Sequence, residues 1–408
     1  MNYIILSIPV FFLLIGIELL IDKIQRSSFY RFNDAVANIS CGIAQQVSGV
    51  FFKTILIVGY VYLYDHYRVF ELPNNWWMYV ILFIGIDFFY YWFHRLSHEI
   101  SFFWGAHIVH HQSEEYNLSV ALRQSTFQAF VSTAFYLPLA FLGFNPVAFV
   151  TIGAFQTLYQ FWIHTKAIHK LHPAFEYVFN TPSHHRVHHG RNPKYIDKNH
   201  GGTLIIFDRM FGTFQAEEEE VVYGVTKPLA SWNPLWANFD YYADLWHLLK
   251  QPMSGWERVQ ILFRKPGWMP AHLGGYQAPK PINATSAQKF DTEVPATVNY
   301  YVFTQYLIIL GFTSWFLFNL SHFERPMQLI LTTWILLSIA NVGAIFERRT
   351  WVWLLEWVRY LFTAILIWML PSPVWIEVSA IVFLIFSAIW FFSFRTLFRA
   401  SGEVPGML

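Results

Sequence analysis

Long apolar runs alternate along the chain with shorter polar stretches. A helix needs about 20 mostly apolar residues to cross the hydrocarbon core of a bilayer. The runs of about this length are Met1 to Ile21, Val47 to Tyr64, Trp76 to His94, Phe127 to Phe144, Pro146 to His164, Tyr300 to Leu320, Met327 to Ile345, Trp351 to Leu370 and Pro373 to Phe392. The pattern predicts an all-α, polytopic integral membrane protein with about nine transmembrane helices.

Positive charges predict how these helices are oriented. Lys23, Arg26 and Arg31 follow the first run, and flanking Lys and Arg residues mark the cytoplasmic side of a membrane. Alternation from there places the N-terminus outside and the C-terminus inside. Asn145-Pro146 separates the fourth and fifth runs, which predicts a helical hairpin that enters from the cytoplasm and returns to it.

The same pattern predicts four segments along the chain. Residues 1–75 hold N-terminal transmembrane helices, and residues 76–216 form a histidine-bearing core. Residues 217–298 form a cytoplasmic or interfacial segment, and residues 299–408 hold C-terminal transmembrane helices. Leu235 to Leu249 mixes aromatic residues with aspartates, which is typical of a helix lying on the membrane surface or of one packed on the core.

Composition supports a membrane location and excludes some partners. Only 13% of the 408 residues are charged, against about a quarter in soluble domains. The formal net charge is +1, and no basic block indicates nucleic-acid binding. One cysteine, Cys41, excludes an internal disulfide framework and a cysteine-based zinc site.

Histidines are concentrated in one quarter of the chain. Of 17 histidines, 13 lie between His94 and His200. Three motifs stand out: His94-x-x-x-His98, His107-x-x-His110-His111 and His185-x-x-His188-His189. Spacings of three and four residues bring side chains together on one helical face, where they can bind a common ion.

The number of histidines indicates more than one metal ion. A structural zinc site uses four ligands, whereas these motifs supply eight, so we expect two ions on the cytoplasmic side. Imidazole binds zinc, iron, copper and nickel alike and does not choose among them. His164, at the end of the fifth run, is a ninth candidate ligand; His169, His172, His184 and His200 remain open between ordinary packing and a role at the site.

Other polar residues near the motifs are candidates for a supporting or catalytic role. Asp87 lies seven residues before His94, on the same helical face, Glu99 follows His98, and Asp197 and Asp208 follow the third motif. Carboxylates that orient ligands would also offset the charge of two ions. Six residues after the second motif are candidates for a head-group or reductant pocket, or for capping and packing of the next helix: Glu114, Glu115, Tyr116, Asn117, Arg123 and Gln124. From these sets we take Asp87, Glu99 and Asn117 as the candidate catalytic residues.

The three histidine motifs resemble the eight-histidine signature of the fatty acid hydroxylase/sterol desaturase superfamily. Many positions match this superfamily from about Asp87 to Phe214. Within it, the sequence most resembles enzymes that cleave glycerol ether lipids. The resemblance implies a membrane-bound dinuclear non-haem iron monooxygenase that uses dioxygen and an electron donor. It further implies an ether lipid substrate, cleaved to a fatty aldehyde and a glycerol derivative, and tetrahydrobiopterin as reductant.

Other functions remain open on sequence grounds. Sterol or fatty-acyl hydroxylation and desaturation begin with the same hydrogen abstraction, so the histidines do not separate them. A metal transporter would place its ligands at mid-membrane in broken helices, whereas these cluster at the predicted cytoplasmic mouth. A zinc-stabilised membrane protein without catalytic activity is the third alternative.

Overall fold

A computed structural model describes residues 3–399, without the side chains of residues 4, 53–56 and 399. Regular structure in this range is helical apart from two isolated β-bridges, which confirms the predicted all-α class. The chain forms two compact units: Met1–Leu229 with Ala237–Lys289, and Ala230–Trp236 with Phe290–Leu408. All three histidine motifs lie in the first unit.

The helices follow one another with short connections. In the first part of the chain they are α1 (Tyr3–Leu6), α2 (Ile8–Gln25), α3 (Phe32–Tyr67), α4 (Trp76–Glu99), α5 (Ser101–His111), α6 (Leu118–Ala121), α7 (Gln128–Phe141), α8 (Pro146–Trp162), α9 (Pro173–Val178), α10 (Pro182–His188) and α11 (Ile206–Phe211). The remaining helices are α12 (Pro234–Ala237), α13 (Asp240–Leu249), α14 (Gly255–Phe263), α15 (Ala296–Phe318), α16 (Arg325–Phe346), α17 (Val352–Met369), α18 (Val374–Ser393) and α19 (Arg395–Arg399). Ala271–Leu273 and Leu320–His322 form short 3₁₀ helices.

Six helices among the described residues are long and apolar enough to cross a membrane. They are Phe32–Phe52, Trp76–Glu99, Ala296–Phe318, Arg325–Phe346, Val352–Met369 and Val374–Ser393. The third predicted span and the last four each match one of them. The predicted count of nine spans is therefore not confirmed. The several long apolar helices do agree with the prediction of an integral membrane protein.

Helix lengths and buried charge explain the spans that differ. The second predicted span lies within α3, which begins at Phe32, well before the predicted start at Val47. At 1.5 Å per residue, the two hairpin helices α7 and α8 are about 21 Å and about 26 Å long, less than the hydrocarbon thickness of about 30 Å. α2 contains three charged residues, of which Glu18 is buried and accepts hydrogen bonds from Tyr30, Thr165 and the Leu118 N–H. That carboxylate ties α2 to the region around the histidines.

Local sequence sets the ends of the helices that carry the site. The Asn75 side chain accepts from the Met78 N–H and starts α4. Asn145 accepts from the N–H groups of Val147 and Ala148, with Pro146 in the first turn of α8, so the predicted break between the hairpin arms is confirmed. Proline suits a first turn because its missing N–H has no partner there.

The segment around α13 packs against the helix that carries the second motif. The hydroxyls of Tyr241 and Ser101 are 2.6 Å apart, and the Tyr242 hydroxyl donates to the Phe102 carbonyl. Further along α13, Trp246 is exposed. These contacts agree with the interpretation that α13 packs on the core. Contact of α13 with lipid, the other interpretation, stays a prediction.

The second unit contains the apolar helices α15 to α18 around a buried polar network. Arg359 donates to Glu356, the pair expected from their spacing of three residues in one helix. Tyr301 and Asn341, from two other helices, donate to the same carboxylate. Hydrogen bonds and the ion pair offset the desolvation cost of these buried polar groups, as is usual for polar side chains within membrane helices.

Candidate metal centre

Four helices bring nine histidines together. α4 carries His94 and His98, and α5 carries the second motif. His164 follows the end of α8, and the third motif lies on α10 and its C-cap. All nine side chains are buried. The nine predicted ligands therefore lie together in the structure, although they are separated by up to 95 positions in sequence.

The nine histidines divide into two groups of possible ligands. The first, called here the five-histidine group, consists of His94, His98, His107, His111 and His188. The second, called the four-histidine group, consists of His110, His164, His185 and His189. Within each group the candidate ligand nitrogens all lie within 4.8 Å of one another. Two groups of this size fit two ions better than one.

Helical spacing explains how the motifs divide. In each His-x-x-His-His motif the first and last histidines are four apart and belong to one group, while the middle one belongs to the other. The second motif gives its pair, His107 and His111, to the five-histidine group. The third gives its pair, His185 and His189, to the four-histidine group. Each motif therefore contributes two histidines to one group and one histidine to the other, and the two motifs do so in opposite order.

Oxygen acceptors fix the tautomer of five of the imidazoles. A carbonyl oxygen accepts only, so a ring nitrogen that bonds to it must carry the proton. The pairs are His94 Nδ1 with the His200 carbonyl at 2.8 Å, His107 Nδ1 with Gln128 Oε1 at 2.9 Å, His110 Nδ1 with the Arg123 carbonyl at 2.9 Å, His164 Nδ1 with the Gln160 carbonyl at 2.7 Å and His188 Nδ1 with the Lys198 carbonyl at 2.9 Å. Each of these rings is left with a lone pair on Nε2, which is the form that binds a metal.

Several of these lone pairs face each other at short distance. The Nε2 atoms of His94 and His107 are 2.9 Å apart, and those of His110 and His164 are 3.2 Å apart. With both protons on Nδ1, neither contact is a hydrogen bond, and a cation between the nitrogens would turn repulsion into attraction. Two nitrogens bound at right angles at about 2.0–2.1 Å from one ion lie about 2.9 Å apart.

Further ring nitrogens are buried and have no protein partner. Within the described residues, no hydrogen bond reaches His98 Nε2, His185 Nδ1, His188 Nε2 or His189 Nε2. An unsatisfied buried polar atom costs about 1–3 kcal/mol, and natural proteins rarely tolerate several in one place. The residues present therefore fit a metal centre.

Burial also sets the charge of the ligands. Desolvation lowers the pKa of His107 to about 4 and that of His188 to about 3. Desolvation and then neighbouring histidines lower the pKa of His110, His111, His185 and His189 well below the usual value. These imidazoles are neutral at neutral pH and need not lose a proton to bind an ion.

Two carboxylates hold the segment that supports His94. Asp87 accepts from the N–H groups of Thr203 and Leu204, both at 2.8 Å. Asp208 accepts from the N–H groups of His200 and Gly201, both at 2.7 Å. Because the His200 carbonyl accepts from His94, the two carboxylates fix the orientation of a ligand at one remove. Asp87 was expected near a ligand, and it acts here through the backbone.

Two glycines make this arrangement possible. A Cβ atom on Gly202 would lie 2.9 Å from Asp87 Oδ1 and 2.8 Å from the Tyr90 ring. A Cβ on Gly201 would lie 2.4 Å from the Leu204 carbonyl and 3.0 Å from Asp208 Oδ2. Any larger residue would therefore push the segment away from the carboxylates.

The other two candidate catalytic residues lie in different settings. Glu99 accepts from Arg95 at 3.1 Å, in a partly exposed pair on α4. Asn117 caps α6 by accepting from the Ser119 N–H and donates to the Phe29 carbonyl. No contact among the described residues joins either side chain to the histidine groups, and a catalytic role for them stays a prediction.

The polar residues after the second motif are engaged within the protein. Glu115 is buried and pairs with Arg31 at 2.6 Å and with Lys289 at 2.7 Å. The Arg123 guanidinium donates to the Val109 carbonyl and to two side-chain oxygens. These contacts match the packing alternative for both residues.

Sequence reasoning missed the acceptors that orient the ligands. Four of the five are backbone carbonyls, for which the residue type carries no signal. Gln128 lies at the start of α7, outside the motifs, and becomes an acceptor only through folding. Asp197 was a candidate from the sequence: it has a positive-φ conformation, its Oδ1 lies 3.9 Å from His98 Nδ1, and it pairs with Lys265.

Comparison with known proteins places this centre in a family. The fatty acid hydroxylase family model matches residues 79–213, which include all nine candidate ligands. Alkylglycerol monooxygenase of Xenopus tropicalis is 38% identical over 357 residues, which cover 86% of this chain and 79% of that protein. The Homo sapiens alkylglycerol monooxygenase is 36% identical over 363 residues, covering 88% and 81%.

A more distant relative matches only part of the chain. Ornithine lipid hydroxylase OlsE of Rhizobium tropici is 28% identical over 204 residues, covering 48% of this chain and 56% of that protein. No solved structure matches the chain. Apolar helices, a paired histidine centre and the family domain together define a membrane-bound oxidoreductase of the fatty acid hydroxylase class, a monooxygenase that acts on lipid. Within that class, the chain belongs to the alkylglycerol monooxygenase family.

Proposed function

We propose that the chain is a di-iron monooxygenase that cleaves the ether bond of alkylglycerols. The observation that carries the proposal is the pair of histidine groups, with lone pairs turned toward each other, in a chain of the alkylglycerol monooxygenase family. Iron rather than zinc is supported by the chemistry of the family, since zinc has no redox chemistry to offer.

The proposed reaction replaces one hydrogen on the ether-linked carbon with a hydroxyl group. One atom of dioxygen enters that hydroxyl. The other atom leaves as water, with two electrons and two protons from the reductant. The hemiacetal then transfers its hydroxyl proton to the ether oxygen as that carbon–oxygen bond breaks, which yields a fatty aldehyde and glycerol. The proposed reductant is tetrahydrobiopterin, as in the resemblance noted above.

The protein's own residues provide binding, orientation and a dry environment. Two bound iron ions supply the one-electron and oxygen chemistry that side chains lack. The five-histidine group would hold one ion and the four-histidine group the other. Burial of all nine rings keeps the centre away from bulk solvent. Asp87 and Asp208 keep the His200 carbonyl against His94.

Oxygen labelling tests the reaction directly. Purified full-length protein is supplied with an alkylglycerol, tetrahydrobiopterin, ferrous iron and ¹⁸O₂, and the aldehyde is trapped at once by reduction to the alcohol. We expect one ¹⁸O atom per trapped product and release of unlabelled glycerol. The His185→Ala variant is the matched control and should form no aldehyde. A stable hydroxylated lipid would indicate hydroxylation elsewhere, and an unlabelled alkene would indicate desaturation; either result contradicts ether cleavage.

A lipid substrate predicts a steep dependence on chain length. Each methylene withheld from burial forfeits about 0.8 kcal/mol, or roughly a fourfold change in an equilibrium constant. If the alkyl chain lies between helices, catalytic efficiency should fall about that much per methylene removed until the chain no longer fills its channel. The measurement is a series of alkylglycerols of decreasing length in nanodiscs. An equal efficiency for all lengths would contradict a buried tail.

We further propose that the centre faces the cytoplasm. Lys23, Arg26 and Arg31 follow α2, and Arg348 and Arg349 follow α16, as expected for cytoplasmic ends. The short hairpin of α7 and α8 is consistent with helices that enter from this side and return to it. The membrane lipid would then reach the metals laterally from the inner leaflet.

A further inference from the structure

His200 is a tenth buried histidine at the metal centre that neither group includes. Its side chain is 0% exposed. Its backbone is fixed at the centre, because its N–H donates to Asp208 and its carbonyl accepts from His94. The His200 backbone is therefore held beside the ligands, and rotation of the side chain decides how near the ring comes to them.

The ring lies at the edge of the five-histidine group. Its centroid is 5.1 Å from that of His98 and 5.6 Å from those of His94 and His188. The ring contacts within the group range from 4.3 Å for His94 and His188 to 5.4 Å for His94 and His98. The rings of the four-histidine group make no such contact with His200 among the described residues.

Both ring nitrogens of His200 are buried without a hydrogen bond in the described structure. The backbone of Asp197 approaches the ring but does not reach hydrogen-bond geometry. A buried polar atom without a hydrogen bond is destabilising, and here both nitrogens of one buried side chain lack a hydrogen bond. A group that is not a protein side chain should therefore satisfy at least one of them.

We propose that His200 is the sixth ligand of the ion held by the five-histidine group. Its nitrogens lie outside the set within 4.8 Å, so the proposal requires the ring to turn toward the set. Six imidazoles would leave no open position at that ion. The four-histidine group would then hold the ion with open positions, and the two ions would have different roles. This inference rests on the two-ion site proposed above.

Metal retention tests the proposal without relying on turnover. The His200→Phe variant keeps a ring of similar size and removes both nitrogens. His184→Phe is the matched control, because His184 is also buried, packs on Phe214 and belongs to neither group. Each full-length protein is loaded with cobalt(II), and its two ions are removed by a competing chelator. We expect wild type and the control to bind both ions equally well, and His200→Phe to bind one of the two at least about tenfold more weakly.

The His200→Ala variant guards against a folding defect. Its cavity admits free imidazole, so added imidazole should restore retention of the weakened ion and the cobalt absorption spectrum. Unchanged affinity in folded His200→Phe would overturn the proposal and indicate a buried water beside His200. Absence of imidazole rescue in folded His200→Ala, with the second ion still weak, would also overturn it. A wild type that binds no pair of ions would instead contradict the proposed function.

Discussion

Replacing His188 by alanine should remove one metal ion, and replacing its neighbour His189 should remove the other. The two residues are adjacent at the end of α10 but belong to different histidine groups. Each single variant should keep about one ion per chain, and the double variant none. Because both ions are needed, each single variant should lose at least about a hundredfold in aldehyde formation, beyond the loss expected for a supporting residue.

The measurement is metal analysis of purified protein after reconstitution, alongside a thermal melt to establish folding. His184→Ala, on the same helix, is the control and should retain both ions. If the His188 and His189 single variants each released both ions while remaining folded, the groups would form one indivisible site. If each retained both, the division of the motifs between two ions would be wrong.

The sequence predicted which histidines lie together because their spacing carries a physical signal. Histidines three and four apart on a helix meet on one face, and this holds in α4, α5 and α10. The spacing alone does not separate His110 from the pair His107 and His111, because residues three and four apart are both near neighbours. The number of histidines predicted two ions, whereas the division of each motif between two groups depends on the packing of the helices.

The span count could not be derived from apolarity alone. The run from Met1 to Ile21 looks like a membrane helix, yet Glu18 in it is buried against Tyr30, Thr165 and Leu118. Only the tertiary contacts show that this charge is satisfied inside the protein. For the hairpin, apolar residues beyond α7 and α8 belong to their connections, so the runs overstated the helix lengths.

The support of the ligands was the least predictable part of the site. Carboxylates were expected to bond to histidines, because a charge partner is the usual signal in sequence. Here backbone carbonyls orient His94, His110, His164 and His188, and any residue could supply them. Asp87 was found by its spacing from His94, but its role depends on Thr203 and Leu204, more than a hundred positions later.

The Asp87→Asn variant should fold and lose about tenfold to a hundredfold in activity and in affinity for one ion. Asparagine keeps the shape of the side chain and can accept one N–H through Oδ1. Its Nδ2 group would face the second of the Thr203 and Leu204 N–H groups, donor against donor, in a site with 1% exposure. The segment should shift, and the His200 carbonyl should orient His94 less well. Asp208→Asn should act in the same way through His200 and Gly201.

The two substitutions act on one segment, so their effects should not add. Residues that share a partner couple, and the double variant should lose less than the product of the single losses. Asp65→Asn, at an exposed position near the end of α3, is the control and should change neither activity nor metal affinity. The readouts are kcat, KM and chelator competition on the same preparations. A fall in kcat with unchanged metal affinity would show that Asp87 acts on the substrate rather than on His94. Wild-type values of both quantities would show that Asp87 and Asp208 do not support the site.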